Sequence, residues 1–334
     1  MGVTGSYLIS RLSSEHEVTG YERQKEKNFT AICAWGTTKK ELEQFANECN
    51  LNFEDYLYHD GQKMEVIIEN KKNATKENKV FIELNGLCTY NKAGLEHDMM
   101  KGHNVIFNKN VKLKEIYDNY DLIIDSTGLR AILPMSKNRT MIPCLEYRIK
   151  YKKRPYEDFF IKPFKGLTGY FWYFPLNQNE AHVGAGDFYK KHNTTINEFM
   201  EKYPGEIINK IGRPICVSPP SLCEPIYVDK VVGVGEAIGT VFPMLGEGII
   251  PGLQCAKLLI ENLHDLKLYR KKVLEFYAPY DSVYKVVNSK LHGQFKFINN
   301  FLDILKMYRY MKQNEERFGM NIKLFELLKV IRAV

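Results

Sequence analysis

Residues 231–253, V-V-G-V-G-E-A-I-G-T-V-F-P-M-L-G-E-G-I-I-P-G-L, decide how the rest of the chain is read. The stretch opens as a short apolar strand, delivers an acid at Glu236, passes through a proline-bounded glycine loop and enters the start of a long helix. Gly246 and Gly248, with Ile249 after them, place backbone N–H groups and a helix N-terminus beside one carboxylate. Such a place suits a ligand with a sugar hydroxyl and an anionic or electron-rich edge. The same residues would also serve as a plain strand, turn and helix of an α/β domain, so the choice rests on the remainder of the sequence.

The chain has 334 residues, enough for two domains or for one large domain carrying an insertion. Hydrophobic residues make up 44% and charged residues 26%, the balance of a globular protein. The formal charge of +7 is mild, and the basic residues alternate with acids instead of forming a stripe, which argues against a nucleic-acid partner. It leaves room for weak attraction to an anionic membrane surface. The cysteines at 33, 49, 88, 144, 216, 223 and 255 form no C-x-x-C pair and follow no secretion signal, so reduced thiols in a cytoplasm are expected. No apolar run reaches the ~18–20 residues needed to cross a bilayer. No His, Asp and Cys set has metal-ligand spacing.

The start, M-G-V-T-G-S-Y-L-I-S-R-L, runs from Gly2 and Gly5 into helical spacing at Tyr7, Leu8 and Leu12, followed by a short strand H-E-V-T-G-Y-E-R ending at Glu22 and Arg23. Glycine turn, helix, strand and acid are the second half of a dinucleotide-binding βαβ unit. Glu22 lies 17 residues after Gly5, near the spacing that lets an acid reach a ribose hydroxyl. The first strand and first glycine of such a unit would precede Gly2. The expectation is therefore a start upstream of Met1, or a shortened copy of the unit.

Farther on, a helix is predicted over 39–49, short strands over 53–84 with a polar turn at 70–78, a helix over 90–100 and a strand at N-V-I-F-N. The run Y-D-L-I-I-D-S-T-G-L-R reads as a buried strand ending in Thr127 and Gly128, small residues that let backbone approach a ligand. From about Thr140, the segments C-L-E-Y-R-I-K-Y, D-F-F-I-K-P-F, G-Y-F-W-Y-F-P and E-A-H-V-G-A-G read as an antiparallel sheet. A short helix is predicted over 195–203 and an irregular stretch over 214–225. The last 70 residues are expected to be helical. Leu291, Phe295, Ile298, Leu302 and Leu305 recur at helical spacing among Lys290, Lys296, Lys306 and Arg309. They read either as helices packed on the domain or as a basic amphipathic surface for lipid.

The glycine turn with Glu22, the strand ending at Gly128 and the Glu236 loop together resemble the FAD-binding pieces of the para-hydroxybenzoate-hydroxylase-like flavoproteins. Within them the chain resembles the geranylgeranyl reductases, in particular the archaeal digeranylgeranylglycerophospholipid reductases. Two local features carry that choice. C-A-W-G at Cys33 to Gly36 begins eleven residues after the ribose acid, like the family's C-A-x-G loop. Y-F-W-Y-F-P followed by V-G-A-G matches the family's Y-x-W-x-F-P and G-x-G segment.

The resemblance implies an α/β (α+β) fold: a Rossmann-like FAD-binding domain from residues 1–135 plus 225–265, an inserted antiparallel-sheet substrate domain at 136–224 and a helical region at 266–334. It implies Thr4 and Gly5 at the pyrophosphate turn, Glu22 on the adenosine ribose, and Cys33, Ala34 and Gly36 along the flavin. Lys92 stands where the family usually has an arginine that contacts the cofactor; it keeps the charge and loses the planar fork. Val111 falls at a strand position touching the adenine side, and Gly128 ends the strand beside the ligand. Glu236 replaces the usual aspartate at the ribityl and phosphate part, and Gly248 and Ile249 face the pyrimidine end of the isoalloxazine. Cys33 is the expected catalytic residue, packing on or protonating at the reducing face. Tyr170, Phe171, Trp172 and Phe174 are expected to wall a prenyl tunnel, and His182 is expected to be structural.

The implied activity is FAD-dependent saturation of C=C bonds in isoprenoid lipids or their precursors, with NAD(P)H or a ferredoxin as electron donor. A peripheral site on the inner face of the cell membrane would suit such a substrate. The competing readings are a flavin monooxygenase of the same fold and a non-catalytic flavoprotein.

Overall fold

The computed structural model describes residues 1–69, 77–134, 136 and 139–333; most of the polar turn expected at 70–78 lies outside them. The first segment runs α1 (Val3–Leu12), β1 (Gly20–Tyr21), β2 (Gly36–Thr38), α2 (Lys39–Glu48), β3 (Leu57–Asp60), β4 (Lys63–Glu69), β5 (Glu77–Glu83), β6 (Leu87–Tyr90), α3 (Lys92–Met100), β7 (Val105–Ile106), α4 (Leu113–Ile116) and β8 (Ile123–Asp125). The middle segment holds β9 (Met141–Lys150), β10 (Phe159–Pro163), β11 (Gly169–Pro175), β12 (Glu180–Asp187), α5 (His192–Lys202) and β13 (Glu206–Cys216). The chain then returns through β14 (Tyr227–Val228), β15 (Val231–Gly233) and α6 (Ile249–Glu261). It ends in α7 (Leu266–Phe276), α8 (Pro279–Leu291), α9 (Phe301–Gln313), α10 (Glu315–Phe318) and α11 (Leu324–Ala333).

α1 forms because Val3, Tyr7, Leu8 and Leu12 fall on one buried side, with Arg11 in its last turn. It packs between α3 and α6. The strands beside it form two separate pieces, the parallel pair β1 and β7, and the parallel pair β8 and β15, which β14 joins antiparallel. β8 is shorter than the apolar run suggested. It stops at Asp125, whose carboxylate accepts from the Thr127 and Leu133 amides and so turns the chain away from the sheet. Thr127 and Gly128 therefore sit in the following loop, and Gly128 adopts φ +70°.

The large sheet has seven strands in the order β13-β9-β12-β11-β10-β4-β5. Its pairs are antiparallel except β10 with β4, which run parallel. β4 and β5 come from the first segment, so this sheet is drawn from both sides of residue 136. Along β11 the side chains alternate. Phe171 and Tyr173 bury themselves against Tyr147, Val183 and, on α5, Ile196 and Phe199. Tyr170, Trp172 and Phe174 point the other way. Phe171 thus belongs to the sheet's own core and not to the wall expected for it.

The C-terminal helices follow in short pieces. α7 is capped by Asp265, which accepts from the Lys267 and Leu268 amides, and α8 begins with Pro279 in its first turn. The periodicity of Leu291 to Leu305 does not become one helix. α8 ends at Leu291, Gly293 takes φ +67°, and α9 starts only at Phe301. Ile298 and Leu302 are left 87% and 70% exposed. Among the described residues no helix is long and apolar enough to cross a membrane.

Candidate functional site

One cavity of about 1030 Å³ runs between the parallel strands, the large sheet and the C-terminal helices. That is the upper end of the range for small-molecule sites, roughly 300–1,000 Å³. Every residue singled out above as a cofactor contact lines it: Thr4, Gly5, Glu22, Cys33, Ala34, Gly36, Lys92, Val111, Gly128, Glu236, Gly248 and Ile249. Tyr170, Trp172 and Phe174 line it too, whereas Phe171 and His182 do not.

At one end, Thr4 and Gly5 form the first turn of α1, whose unpaired N–H groups are suited to an anion. A Cβ on Gly5 would come within 2.6 Å of Ser126 Oγ, so only glycine lets α1 approach the loop after β8 this closely. Glu22 follows β1, is 2% exposed, and accepts from the Gln24 amide at 2.7 Å. Val111 reaches the cavity from the loop between β7 and α4, not from a strand. Between β1 and β8 the wall continues over Leu8, Ile9, Val18, Ile123 and Ile124.

In the middle, Glu236 is fully engaged. One carboxylate oxygen accepts from the Cys216 amide at 3.1 Å and the other from the Arg213 guanidinium of β13. Burial pushes the Glu236 carboxyl above its ordinary value, with Arg213 pulling against it. Gly128 lies against the same pair: a Cβ there would come within 2.7 Å of Arg213 Nη2. Arg213 was not foreseen, since it sits in an ordinary strand outside any glycine loop or motif.

At the far end the Cys33 loop meets the sheet. Trp35 holds φ +60°, an unusual backbone for a bulky residue, fixed by its indole N–H donating to Ala31 O at 3.1 Å. Burial raises the Cys33 thiol to about 11, although Lys92 pulls it down, so the thiol is protonated at neutral pH. Lys92 is buried and paired with Glu96 one helical turn on. Gly248 caps α6 and Ile249 opens it, with the Glu247 carboxylate accepting from the Ile250 amide at 2.9 Å. The Tyr170 hydroxyl donates to Leu245 O, which ties β11 to this loop.

Two further groups escaped the sequence reading. Arg317 of α10 is 5% exposed and donates to Glu247 at 2.9 Å and to the Tyr280 hydroxyl at 3.0 Å. Glu146 of β9 lines the cavity beside Trp172. Neither sits in a short motif, and each is brought to the site only by long-range packing.

The lining fits a dinucleotide. Two helix starts, α1 and α6, face one cavity with Glu22 at one end, and glycine at 5 and 128 lets the elements around it pack closely. The buried hydroxyls of Thr37 and Thr38, and Nε and Nη1 of Arg317, line it with no hydrogen-bond partner among the described residues. No cluster of three or more metal-ligating side chains occurs among those residues.

No protein-family model matches the chain. Over 171 residues it is 25% identical to digeranylgeranylglycerophospholipid reductase 1 of Methanosphaera stadtmanae, covering 47% of this chain and 41% of that protein. Over 98 residues it is 33% identical to digeranylgeranylglycerophospholipid reductase 2 of Methanothermobacter thermautotrophicus, covering 27% of this chain and 24% of that one. The matched stretches thus span less than half of these relatives. Among solved structures, a geranylgeranyl bacteriochlorophyll reductase-like protein from Thermoplasma acidophilum superposes with TM-score 0.61 at 15% identity, covering 94% of this chain and 96% of that one. A probable FAD-dependent monooxygenase from Pseudomonas aeruginosa gives 0.61 at 14% identity, covering 88% and 97%. The fold is the para-hydroxybenzoate-hydroxylase type, and over part of its length the chain resembles the geranylgeranyl-reductase-like oxidoreductases.

Proposed function

We propose that this chain is an FAD-dependent reductase that saturates C=C bonds of geranylgeranyl chains in isoprenoid ether lipids or their precursors. The observation that carries the reading is that the Cys33 loop, the start of α6 and the outward face of β11 open onto one cavity. FAD, when bound, supplies the hydride. The chain's own part is to hold and to shield. Thr4, Gly5 and the α1 amides receive the pyrophosphate, Glu22 the ribose, and Gly248 and Ile249 the pyrimidine end of the flavin. Trp172 and Phe174 give the prenyl chain an apolar wall, and Cys33, a neutral thiol, packs at the flavin without adding charge to it. Lys92 contributes a cation already balanced by Glu96.

Exposed Ile298, Leu302 and Phe325, with Lys296, Lys306 and Lys329 nearby in sequence, support peripheral contact of the C-terminal helices with anionic lipid, where the substrate resides. The electron donor is a nicotinamide or a ferredoxin.

The test is anaerobic. The purified protein is expected to carry yellow oxidised flavin, to bleach with dithionite, and to regain colour when an unsaturated archaeal-type ether lipid is added. A colourless folded protein would leave a non-catalytic flavoprotein relative. The monooxygenase in the fold's company makes a second reading concrete. Reoxidation by oxygen but not by the lipid, with NAD(P)H consumed as an aromatic or lipid substrate gains oxygen, would establish it.

A further inference from the structure

Three arginines from separate parts of the chain converge on the loop after β8 and on the segment of Glu236, and they are used differently. Arg130 is 2% exposed and donates to the backbone carbonyls of Pro134, Cys223 and Pro225. Arg139 donates to Leu129 O and Glu236 O at 3.5 Å and to Cys216 Sγ at 3.4 Å. Both brace the walls, and neither lines the cavity. Arg213 does line it, and a quarter of its side chain stays exposed there. Along β13 it shares the cavity face with Ile211 and Ile215, one cation in an otherwise apolar row. Among the described residues its guanidinium makes one hydrogen bond, from Nη2 to Glu236.

The neighbours of that fork are the anion-binding parts of the cavity. Nη2 occupies the space a side chain at Gly128 would need, and two residues earlier Ser126 stands against Gly5 at the start of α1. Gly235, next to Glu236, stands against Thr4, where a Cβ would come within 2.9 Å of Oγ1. Arg213, the Gly128 loop and the first turn of α1 therefore surround one corner. Its carboxylates are Glu236 and Asp125, and Asp125 is already held by the Thr127, Ile132 and Leu133 amides. Three guanidiniums against two carboxylates leave a positive excess, to which the unpaired N–H groups of α1 add.

A guanidinium carries five N–H donors in a planar fork, and a carboxylate that takes one of them leaves the others for a second oxyanion. Resting on the reading of the cavity above, we propose that Arg213 binds a phosphate group of the ligand, with Glu236 holding the fork in place beside the Gly128 loop. Two sources supply that chemistry. One is the diphosphate of a dinucleotide laid across the start of α1. The other is the phosphate head of a prenyl substrate whose chain runs along the apolar face of the sheet. In either case the charge sits on β13 of the large sheet, so the ligand's phosphate ties that sheet to the parallel strands.

Binding to the flavin-free full chain tests this without turnover. ADP and geranylgeranyl diphosphate are the phosphate-bearing probes, adenosine and geranylgeraniol their neutral counterparts, each followed by tryptophan fluorescence. R213Q is expected to weaken at least one phosphate-bearing probe by about 10–100-fold, the worth of a charge-assisted hydrogen bond, and to leave the neutral probes unchanged. Weakening of ADP alone assigns the dinucleotide, of geranylgeranyl diphosphate alone the prenyl head, and of both shows that each phosphate reaches Arg213. E236Q keeps an oxygen for the Cys216 amide and removes the competing charge, so it should tighten the same probe. If R213Q does not fold, R213K, which keeps the charge without the fork, should show a smaller loss of the same selectivity. Equal phosphate-probe affinities in wild type and the Arg213 variant would overturn the assignment alone, as would an equal loss across charged and neutral probes or an E236Q chain that binds no tighter. A wild type that binds none of the four probes and no FAD would overturn the reading of the cavity and this assignment with it.

Discussion

The ring of Phe174 fills the space that a side chain at residue 36 would need: a Cβ on Gly36 would come within 2.6 Å of Cε2 and 2.9 Å of Cδ2. Phe174 is itself held by Phe159, edge-on at 4.9 Å, so it has little freedom to retreat. G36A is expected to destabilise the protein by about 1–3 kcal/mol, the usual cost of overpacking. F174L should recover part of that loss. Urea unfolding of the two single variants and the double variant measures it, and strictly additive effects would argue against direct contact.

Arg213 and Glu236 give a pH-dependent prediction. Burial raises the Glu236 carboxyl above its ordinary 4.5 in the folded protein. Below the ordinary value both states hold the proton. Between it and the raised value the unfolded chain has already released its proton, so stability falls as pH rises through that window. R213M removes the guanidinium that limits the rise and so extends the window upward. Its penalty, about 1–3 kcal/mol for a buried group left unpaired, should be larger at pH 8 than at pH 5. Chemical unfolding at both pH values checks this; a larger penalty at pH 5 would contradict it.

Cys33 should be slow to alkylate. With the thiol raised to about 11 by burial, little thiolate exists at neutral pH. Iodoacetamide is expected to modify it far more slowly than free cysteine at pH 7.5, and faster as pH approaches 11. Peptide mapping locates the label. Labelling at the rate of free cysteine at pH 7.5 would show that the loop is open.

The two sides of β11 should respond differently to truncation. F171A empties a fully buried position in the core with Phe199 and is expected to cost about 3–5 kcal/mol. W172A removes a cavity wall and an indole hydrogen bond, so its main effect should fall on lipid affinity. Thermal unfolding together with lipid titration separates the two. A W172A protein as unstable as F171A, with unchanged lipid affinity, would reverse the assignment.

Much of this was legible because its causes are local. The period-2 pattern of G-Y-F-W-Y-F-P is enough to split Phe171 from Trp172, although a list of aromatic residues conceals the split. Cys33, reached through the eleven-residue step after Glu22 that the family resemblance supplies, and the glycines at 246 and 248 all fall on the cavity. Arg213, Glu146 and Arg317 were hidden for a different reason. Each is a charged residue in an ordinary strand or helix, and its role depends on which distant element packs over it. The apparent helix from Leu291 to Leu305 misled because apolar spacing carries no information about Gly293, whose positive φ turns the chain.

The buried Arg317–Glu247 pair ties the last helices to the loop that opens α6. Order in the C-terminus and occupancy of the cavity are then parts of one equilibrium. A ligand that settles against Gly248 would protect residues near 317 from proteolysis, and anything that loosens α10 would weaken that ligand by the same factor. A membrane or partner drawing on the C-terminal helices could tune the grip on the ligand from outside, without touching a residue that contacts it.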